Sequence, residues 1–227
     1  MNIALILAGG TGSRMGSDIP KQYIKVDNKS VIAYCLEKFI SHEKVDCIQI
    51  VADEMWHDYI LEEVCSDKIK GFSLPGENRQ ISIYNGLKNI KQYASDDDCV
   101  IIHDAARPCV SDKLISECLE KIKNHDGVLP VLPMKDTVYM CENGKNISSL
   151  LEREKVFAGQ APEAFVFGKY YSAVEKLLPN KILNINGSTE PAIIAGMDIV
   201  TINGDESNFK ITTKKDLEVF SDIIKKV

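Results

Sequence analysis

Arginine is scarce in this chain, although basic residues as a group are not. Only Arg14, Arg79, Arg107 and Arg153 occur among the 27 lysines and arginines. The 33 aspartates and glutamates give a formal net charge of −6, so the composition lacks the basic excess typical of general nucleic-acid-binding proteins. Arginine offers phosphate a planar, permanently charged fork that lysine cannot copy. The four arginines therefore mark either phosphate-binding sites or a codon bias against arginine.

Signals for metal binding and membrane insertion are missing as well. The seven cysteines include no C-x-x-C pair and the four histidines no H-x-x-x-H, which favours reduced structural thiols over a cysteine metal site. The longest apolar runs are too short to cross a membrane. Met1 leads directly into the strand-like NIALIL, without the basic segment and cleavage site of a signal peptide. We therefore expect a cytoplasmic protein without a membrane or nucleic-acid partner.

Segments typical of strands and of helices alternate along the chain. The apolar runs at 3–8 and 98–104 predict buried strands, whereas Ile83, Leu87 and Ile90 mark one face of a helix. This alternation predicts an α/β fold with a doubly wound, mostly parallel, Rossmann-like sheet. Such sheets bind ligands at the carboxyl ends of their strands, where both LAGGTG and HDAARP fall.

Residues 134 to about 158 interrupt the alternation. Two short alternating stretches flank the turn-like ENGKN, which predicts a β-hairpin arm projecting from a single domain of residues 1–227. The arm carries Arg153 and the pair Asp136–Thr137, more polar chemistry than a plain surface hairpin requires. A local hairpin without a function is the alternative interpretation.

The stretch LAGGTGSRMG, residues 7–16, follows the first predicted strand and contains four glycines. It does not fit the Walker A pattern, and its glycines are spaced one residue too far for the dinucleotide fingerprint G-x-G-x-x-G. Glycines allow backbone N–H groups to converge on anionic oxygens, and Arg14 and Lys21 add positive charge. The sequence therefore predicts a phosphate-binding loop, with a simple tight turn as the alternative.

With PKQY after this loop, the chain resembles the sugar-phosphate nucleotidyltransferases, and among them the cytidylyltransferases of small polyol phosphates. The resemblance covers nearly the whole chain and includes the segments GENRQIS, HDAARP, KDT, GQAPEAF and NFKITTKKDL. All four arginines lie in or beside these segments, which favours a functional role over codon bias. The order and spacing of so many segments make a chance agreement implausible.

The resemblance implies a reaction and a set of site residues. A phosphate oxygen of the polyol would attack the α-phosphorus of CTP and expel pyrophosphate, with Mg²⁺ as cofactor and Asp104 as its ligand. Because the attacking oxygen is already an anion, the reaction needs alignment and charge neutralisation rather than a general base. The implied catalytic cations are Arg14, Lys21 and Lys210. The implied nucleotide-binding residues are Leu7, Ala8, Gly9, Gly10, Thr11, Gly12, Gly76, Glu77, Arg79, Ser82, Asp104, Ala105 and Ala106. The implied acceptor-phosphate residues are Arg107, Thr137, Arg153 and Thr189.

Several of these residues have a simpler structural interpretation. Lys210 could be a solvated surface lysine, and Arg79 could order its loop by pairing with an acid. Asp104 and Arg107 could pair with each other and shape a loop. In the resembled family the arm reaches across a homodimer to the neighbouring site, so the resemblance also implies a homodimer that shares its active sites.

The sequence leaves several acceptors open. The family usually has Q-T-P-Q where this chain has Q-A-P-E at 160–163, and its T-D segment is replaced by S-T-E-P-A at 188–192. HDAARPC is typical of the methylerythritol-phosphate enzymes of isoprenoid synthesis. LAGG and the GQ before the proline resemble the ribitol-phosphate enzymes of teichoic acid and capsule synthesis. Ribitol 5-phosphate is the first expectation, followed by methylerythritol 4-phosphate and by glycerol, arabinitol or other sugar phosphates.

Two hypotheses from other classes stay open at this point. A catalytically weak paralogue that binds CTP as a sensor would explain the altered Q-A-P-E segment, although the retained Arg14, Lys21 and Lys210 argue against it. An NAD(P)-dependent reductase would share the α/β pattern, but the glycine spacing disfavours it.

Overall fold

An eight-stranded sheet forms the centre of the part of the chain that this computed structural model describes, residues 1–10 and 19–226. The strands are β1 Asn2–Leu7, β2 Lys25–Val26, β3 Lys29–Ser30, β4 Cys47–Val51, β5 Ile69–Ser73, β6 Cys99–Asp104, β7 Gly127–Pro133, β8 Tyr139–Met140, β9 Ser149–Leu150, β10 Phe157–Gly159, β11 Glu163–Val166 and β12 Ile199–Asn203. The helices are α1 Val31–Ser41, α2 His57–Glu63, α3 Arg79–Ile90, α4 Asp112–Lys121, α5 Phe167–Glu175, α6 Glu190–Ile194 and α7 Lys214–Ile224.

The sheet has the order β10-β7-β11-β6-β1-β4-β5, with β12 paired to β7. Strand β1 is parallel to both β4 and β6, β4 is parallel to β5, and β12 is parallel to β7. Only β10 and β11 run antiparallel to their neighbours in this sheet of the described chain. The predicted α/β fold with a mostly parallel sheet is therefore confirmed.

Apolar side chains alternate between the two faces of the sheet and bury both. Along β1, Ile3 and Leu5 pack against α3 and α5, whereas Ala4 and Ile6 pack against α1, α2 and α4. This alternation is the period of two that a strand imposes, and helices on both faces explain why the strand sequences are continuously apolar. A smaller cluster around Phe220 attaches α7 near α1.

The predicted arm segment contains a short hairpin in which β8 pairs antiparallel with β9. Its large apolar side chains are exposed, among them Ile147 and Leu150, each with 65% of its surface accessible. Polar contacts hold the part of the arm next to the sheet. Lys135 pairs with Glu206, and Arg153 Nη1 donates a hydrogen bond to the Lys135 carbonyl oxygen. The arm thus leaves the sheet after β7 and returns to it at β10.

Candidate functional site

A pocket of about 400 Å³ opens at the carboxyl ends of β1, β5 and β6, the edge where an open α/β sheet binds ligands. The residues predicted for the site that line it are Leu7, Gly9, Gly10, Lys21, Gly76, Glu77, Arg79, Ser82, Asp104, Ala106 and Lys210. Gln22, Asn78 and Thr212 line it as well. Thr11, Gly12 and Arg14 lie outside the described residues.

The start of the glycine loop is held by side chains from the segment after it. Gln22 Nε2 donates to the carbonyl oxygens of Ala8 and Gly10, and the Tyr23 hydroxyl also donates to Ala8. The Ala8 N–H donates to Val51 O at 2.7 Å. Both backbone polar groups of Ala8 are therefore bonded within the protein, and Ala8 lies outside the lining of the pocket. A Cβ at Gly9 would lie 2.4 Å from Pro75 Cβ, so only glycine allows this close approach of two loops.

The opposite wall is the turn that leads into α3. A Cβ at Gly76 would lie 2.2 Å from Ile81 Cγ2, which explains the glycine. The Ser82 hydroxyl accepts from Gly76 N at 3.0 Å and donates to Asn78 O at 2.9 Å. Asn78 caps α3, because its Oδ1 accepts from Ile81 N at 2.9 Å. Ser82 and Asn78 therefore fix the turn that presents Gly76 and Glu77.

Asp104 is the centre of the charge network on the floor of the pocket. Its carboxylate lies 3.0 Å from Lys210 Nζ and 3.4 Å from the Nε atoms of both Arg79 and Arg107. Burial opposes ionisation of Asp104, but Arg79, Lys210 and Arg107 outweigh burial and lower the pKa of this carboxyl well below its usual range. Three cations thus converge on one buried carboxylate.

Arg79 and Lys210 line the pocket with partly exposed side chains, 31% and 33% accessible. Burial disfavours the charge on Arg79, but Asp104 and Glu163 outweigh burial and raise the pKa of its guanidinium. Both cations are therefore paired with Asp104 and are still accessible to a ligand in the pocket. Arg79 and Asp104 do pair with each other, as the structural interpretation of these residues predicts. Both residues nevertheless line the pocket.

The segment that carries Lys210 is held by the GQAPEAF segment. Gln160 Nε2 donates to Asp205 O at 2.9 Å, and the buried Asn208 donates through Nδ2 to Ala161 O at 2.7 Å. Arg107 Nη1 donates to Asn208 O at 2.8 Å. On the pocket side, Ile211 N donates to Ala106 O at 2.8 Å. Gln160, Asn208 and Arg107 therefore fix the backbone from which Lys210 reaches Asp104.

The HDAARP segment is fixed by the backbone and by a buried histidine. Ala105 N donates to Leu7 O at 3.0 Å, which ties the end of β6 to the end of β1 and places Ala105 behind the pocket wall. His103 Nε2 lies 3.0 Å from Arg107 O, and burial lowers the pKa of His103 to about 4. The imidazole is therefore neutral at physiological pH and serves the shape of this turn.

The residues predicted for the acceptor phosphate lie in three places. Arg107 is beside Asp104, as described above. Thr189 is buried, and its hydroxyl donates to Glu163 Oε2 at 2.7 Å. Thr137 and Arg153 are exposed on the arm. Within the described ranges of one chain, none of these four residues belongs to the lining of the pocket.

Comparisons with known proteins agree with this geometry. A family model described as "IspD: 2-C-methyl-D-erythritol 4-phosphate cytidylyltransferase" matches residues 2–226. The chain belongs to this cytidylyltransferase family. It is therefore a nucleotidyltransferase, as the resemblance in its sequence predicts.

Relatives of this cytidylyltransferase carry two different names at the same level of similarity. A ribitol-5-phosphate cytidylyltransferase of Vibrio parahaemolyticus is 33% identical, with 99% of this chain and 96% of the relative covered. A 2-C-methyl-D-erythritol 4-phosphate cytidylyltransferase of Clostridium beijerinckii is also 33% identical, with 99% and 98% covered. The crystal structure of the 2-C-methyl-D-erythritol 4-phosphate cytidylyltransferase of Francisella tularensis has a TM-score of 0.82 at 30% identity, with 96% of this chain and 97% of that one covered.

The candidate metal ligands of the cytidylyltransferase are dispersed over the described residues. No group of three or more histidine, cysteine, aspartate or glutamate side chains in residues 1–10 and 19–226 is arranged to hold a metal ion. Nor is any helix in these ranges long and apolar enough to cross a membrane. Asp104 is the carboxylate at the centre of the pocket, and Glu77 lies in its wall.

Some contacts in the candidate site were not predicted from the sequence. Gln22 stands in the PKQY segment, but only the fold shows that its amide holds the glycine loop. Glu163 is visible in the sequence as an unusual charge, yet its buried bonds to Ser188 and Thr189 depend on pairing between distant segments. Asn78 was recognisable in principle, because asparagine before an apolar run is typical of a helix N-cap.

Proposed function

We propose that this cytidylyltransferase transfers CMP from CTP to a small polyol phosphate and thereby forms a CDP-alditol and pyrophosphate. The observation that carries the proposal is the pocket itself, whose lining contains Gly9 and Gly10 together with Lys21, Lys210 and Asp104. Backbone N–H groups and lysines are suited to a polyphosphate. D-ribitol 5-phosphate is the proposed acceptor, and CDP-ribitol for cell-surface polymers the proposed product.

The nucleotide is proposed to lie across the pocket from the glycine loop to the Gly76 turn. The loop would receive the triphosphate, together with Arg14, which lies outside the described residues. The turn at Gly76 and Glu77 would receive the cytosine, because closely spaced backbone groups can recognise a small base edge. Ser82 holds this turn through its hydroxyl, so its proposed role is to keep the base site in shape.

The proposed reaction is a displacement at the α-phosphorus of CTP. A phosphate oxygen of the acceptor forms the new P–O bond, and the bond to the β-phosphate breaks to release pyrophosphate. Lys21 and Lys210 would stabilise the negative charge that develops on the α-phosphate and the leaving group. Lys210 is well placed for this because it is partly exposed and bound to a carboxylate that a phosphate can replace as its partner.

Asp104 is the proposed site for Mg²⁺. Mg²⁺ sites of nucleotide enzymes commonly combine one or two carboxylates with substrate phosphates and water, and a single pocket-floor carboxylate fits this arrangement. Asp104 would be the protein ligand, once Lys210 has turned to the phosphates. When bound, the ion would neutralise phosphate charge.

Ribitol 5-phosphate is preferred as the acceptor because of the LAGG and GQ segments. The Vibrio relative carries the corresponding name. Methylerythritol 4-phosphate is the second candidate, favoured by HDAARPC and by the name of the equally similar Clostridium relative. Glycerol, arabinitol and other sugar phosphates belong in the same panel.

A homodimer joined through the arms is part of the proposal. Tyr139, Ile147, Leu150 and Phe157 each expose more than half of their surface, and apolar side chains grouped on one projection are typical of an interface. A partner's arm would bring Thr137 and Arg153 to the neighbouring pocket, where the acceptor phosphate binds. The active site would then be shared between two chains.

A pyrophosphate-release assay tests the proposed function. Purified protein, Mg²⁺ and each of the four nucleoside triphosphates are combined with a panel of polyol phosphates. We expect release with CTP and ribitol 5-phosphate. Turnover with UTP but not CTP would overturn the base assignment, and CTP binding without turnover on any acceptor would favour a weak CTP-binding paralogue.

A further inference from the structure

Glu163 is a buried carboxylate that the proposed reaction does not use. It is 7% exposed and lies at the start of β11, where it is opposite Ile102 of β6. Asp104 lies two residues beyond Ile102 on the same strand, so both acids project from the same face of the sheet. Burying a second carboxylate so close to Asp104 is unfavourable unless specific partners compensate for it.

Both oxygens of Glu163 accept hydrogen bonds from a single segment. The Ser188 hydroxyl donates to Oε1 at 2.5 Å, and the Thr189 hydroxyl donates to Oε2 at 2.7 Å. The Ser188 carbonyl oxygen accepts from the buried Tyr170 hydroxyl at 2.6 Å. Three hydrogen bonds thereby hold the segment before α6. Glu163 accepts two of them, from the hydroxyls of Ser188 and Thr189.

Ser188 connects Glu163 to Arg79. Arg79 Nη1 donates to Ser188 Oγ at 2.7 Å, while Nε and Nη2 donate to Asp104 Oδ1 at 3.4 Å. Arg79 Nη2 also lies 4.0 Å from Glu163 Oε1. Because Ser188 accepts from Arg79, its own proton needs another acceptor, and Glu163 supplies it. The orientation of the guanidinium therefore depends on Glu163.

The position of Glu163 in the sheet assigns it to one side of the site. Strand β11 lies between β6 and β7, whereas the glycine loop follows β1 on the other side of β6. Strand β7 leads into the arm that carries Thr137 and Arg153. Glu163, which holds Ser188, is thus on the arm side of Asp104, and its other oxygen accepts from Thr189, a residue that the resemblance assigns to the acceptor phosphate.

We propose that Glu163 is a positioning residue for the acceptor side of the site: through Ser188 it holds Arg79 in the pocket wall, where Arg79 serves the acceptor instead of the nucleotide to which the resemblance assigns it. This inference rests on the proposed function, because it assigns this wall to the acceptor. A guanidinium carries more N–H groups than these contacts use, and Arg79 is partly exposed to the pocket. The remaining N–H groups face a ligand only while the Ser188 contact prevents Arg79 from closing fully onto Asp104.

Glutamine cannot replace glutamate in this arrangement, although it has the same size. In this orientation its one amide oxygen faces one hydroxyl, and its NH₂ group faces the other, which would have to accept a hydrogen bond instead of donating one. The negative charge beside Arg79 is lost at the same time. Glu163→Gln therefore removes the acceptor role with little change in volume, and Ser188→Ala removes the same connection while Glu163 stays in place.

The test compares Glu163→Gln and Ser188→Ala with wild type and with Glu120→Gln, a control at an exposed glutamate. Initial rates give KM for the acceptor and for CTP, and kcat. Because hydrogen bonds to charged groups are involved, we expect KM for the acceptor to rise about tenfold in both variants. We expect KM for CTP to stay within about twofold. Equal increases of both KM values, or no increase, would overturn the assignment to the acceptor side.

A second measurement does not depend on turnover. Phenylglyoxal adds to accessible arginines, and peptide mass mapping distinguishes the four arginines of this chain. We expect Arg79 to be modified several-fold more slowly in both variants than in wild type or Glu120→Gln, because without the Ser188 contact it closes onto Asp104; Arg107 is the internal reference. Unchanged modification of Arg79 would show that Glu163 does not position it. If wild type converts no acceptor, the proposed function fails, whereas this measurement still decides the positioning role.

Discussion

The pocket and the arm of this cytidylyltransferase carry similar polar residues in very different surroundings. In the pocket, Arg79 and Lys210 each pair with the buried Asp104, at 3.4 Å and 3.0 Å. On the arm, the Arg153 guanidinium donates to Lys135 O and pairs with Glu154, both residues of the arm, and 48% of its side chain is accessible. The apolar side chains around it are exposed as well.

The contacts of the pocket residues lie within one chain, whereas the arm exposes side chains that a second chain could cover. Among the described residues, the walls of the pocket, its ion pairs and the hydrogen bonds that support its backbone all come from a single chain. The arm has a hairpin of two-residue strands, which is too short to be stable through its own pairing. We infer that the pocket is the nucleotide site and that the arm acts where a second chain covers it, and the following predictions test that contrast.

The largest effect is expected in the pocket. Lys21→Ala should lower kcat by more than about a hundredfold, because a cation aimed at the developing phosphate charge is lost. The matched control is Lys44→Ala, which removes a lysine outside this pocket. Steady-state rates with CTP and acceptor check this, with circular dichroism to establish folding. Near-normal turnover of a folded Lys21→Ala enzyme would remove Lys21 from the catalytic set.

Asp104→Asn should cause the next largest change, in stability. Loss of the buried carboxylate leaves three cations without their shared partner, and we expect the free energy of unfolding to fall by about 2 kcal/mol at pH 7. Because the folded pKa of Asp104 is lowered, its contribution is present above the unfolded pKa of about 3.9. It is lost as pH falls further toward the folded pKa.

Urea unfolding of wild type and Asp104→Asn between pH 7 and pH 3.5 measures this contribution. The difference between the two proteins should be constant from pH 7 to about pH 5 and decrease below about pH 4. A difference that grows on acidification has the opposite sign and would contradict the ion-pair network around Asp104.

A mixing experiment compares the two regions directly. Arg14→Ala and Arg153→Ala should each be nearly inactive alone. Random exchange of subunits makes about half of the dimers mixed, each with one intact site, so activity should return to about a quarter of wild type. Mixing after denaturation and refolding together checks this against each variant refolded alone. If no activity returns, the arm serves its own chain.

Leu150→Glu should have the smallest effect on the pocket. A charge on the exposed apolar hairpin disfavours an apolar interface, so we expect a shift toward monomer and an increase of about tenfold in KM for the acceptor. Binding of CTP should change by less than about twofold. Light scattering and calorimetric CTP titration measure the two properties, and a variant that stays dimeric with unchanged kinetics would contradict a role of the arm as interface.

Much of the fold could be predicted because local patterns determine it. Ile83, Leu87 and Ile90 are spaced for one helix face and are all fully buried, and the apolar runs became the central strands. The antiparallel strands β10 and β11 were not predicted, because a strand's direction depends on its partners rather than on its own residues.

In the candidate site, too, residues in local sequence patterns could be predicted, whereas contacts between distant segments could not. Glycines, lysines and arginines in ordered segments predicted many of the residues that line the pocket, since these residue types suit phosphate. The contact of Glu163 with Ser188 joins positions 25 residues apart and arises only when β11 pairs with β6. Thr137 and Arg153 could be located on an arm, but their distance to a pocket depends on a second chain that one sequence does not describe.

A competition assay tests the central proposal most directly. Wild-type enzyme, Mg²⁺ and limiting CTP are incubated with equal concentrations of ribitol 5-phosphate and methylerythritol 4-phosphate, and mass spectrometry quantifies the two cytidine diphosphate products. We expect CDP-ribitol to be the main product. A main product derived from methylerythritol 4-phosphate would contradict the proposed acceptor, and the absence of both products would contradict transfer of CMP to either.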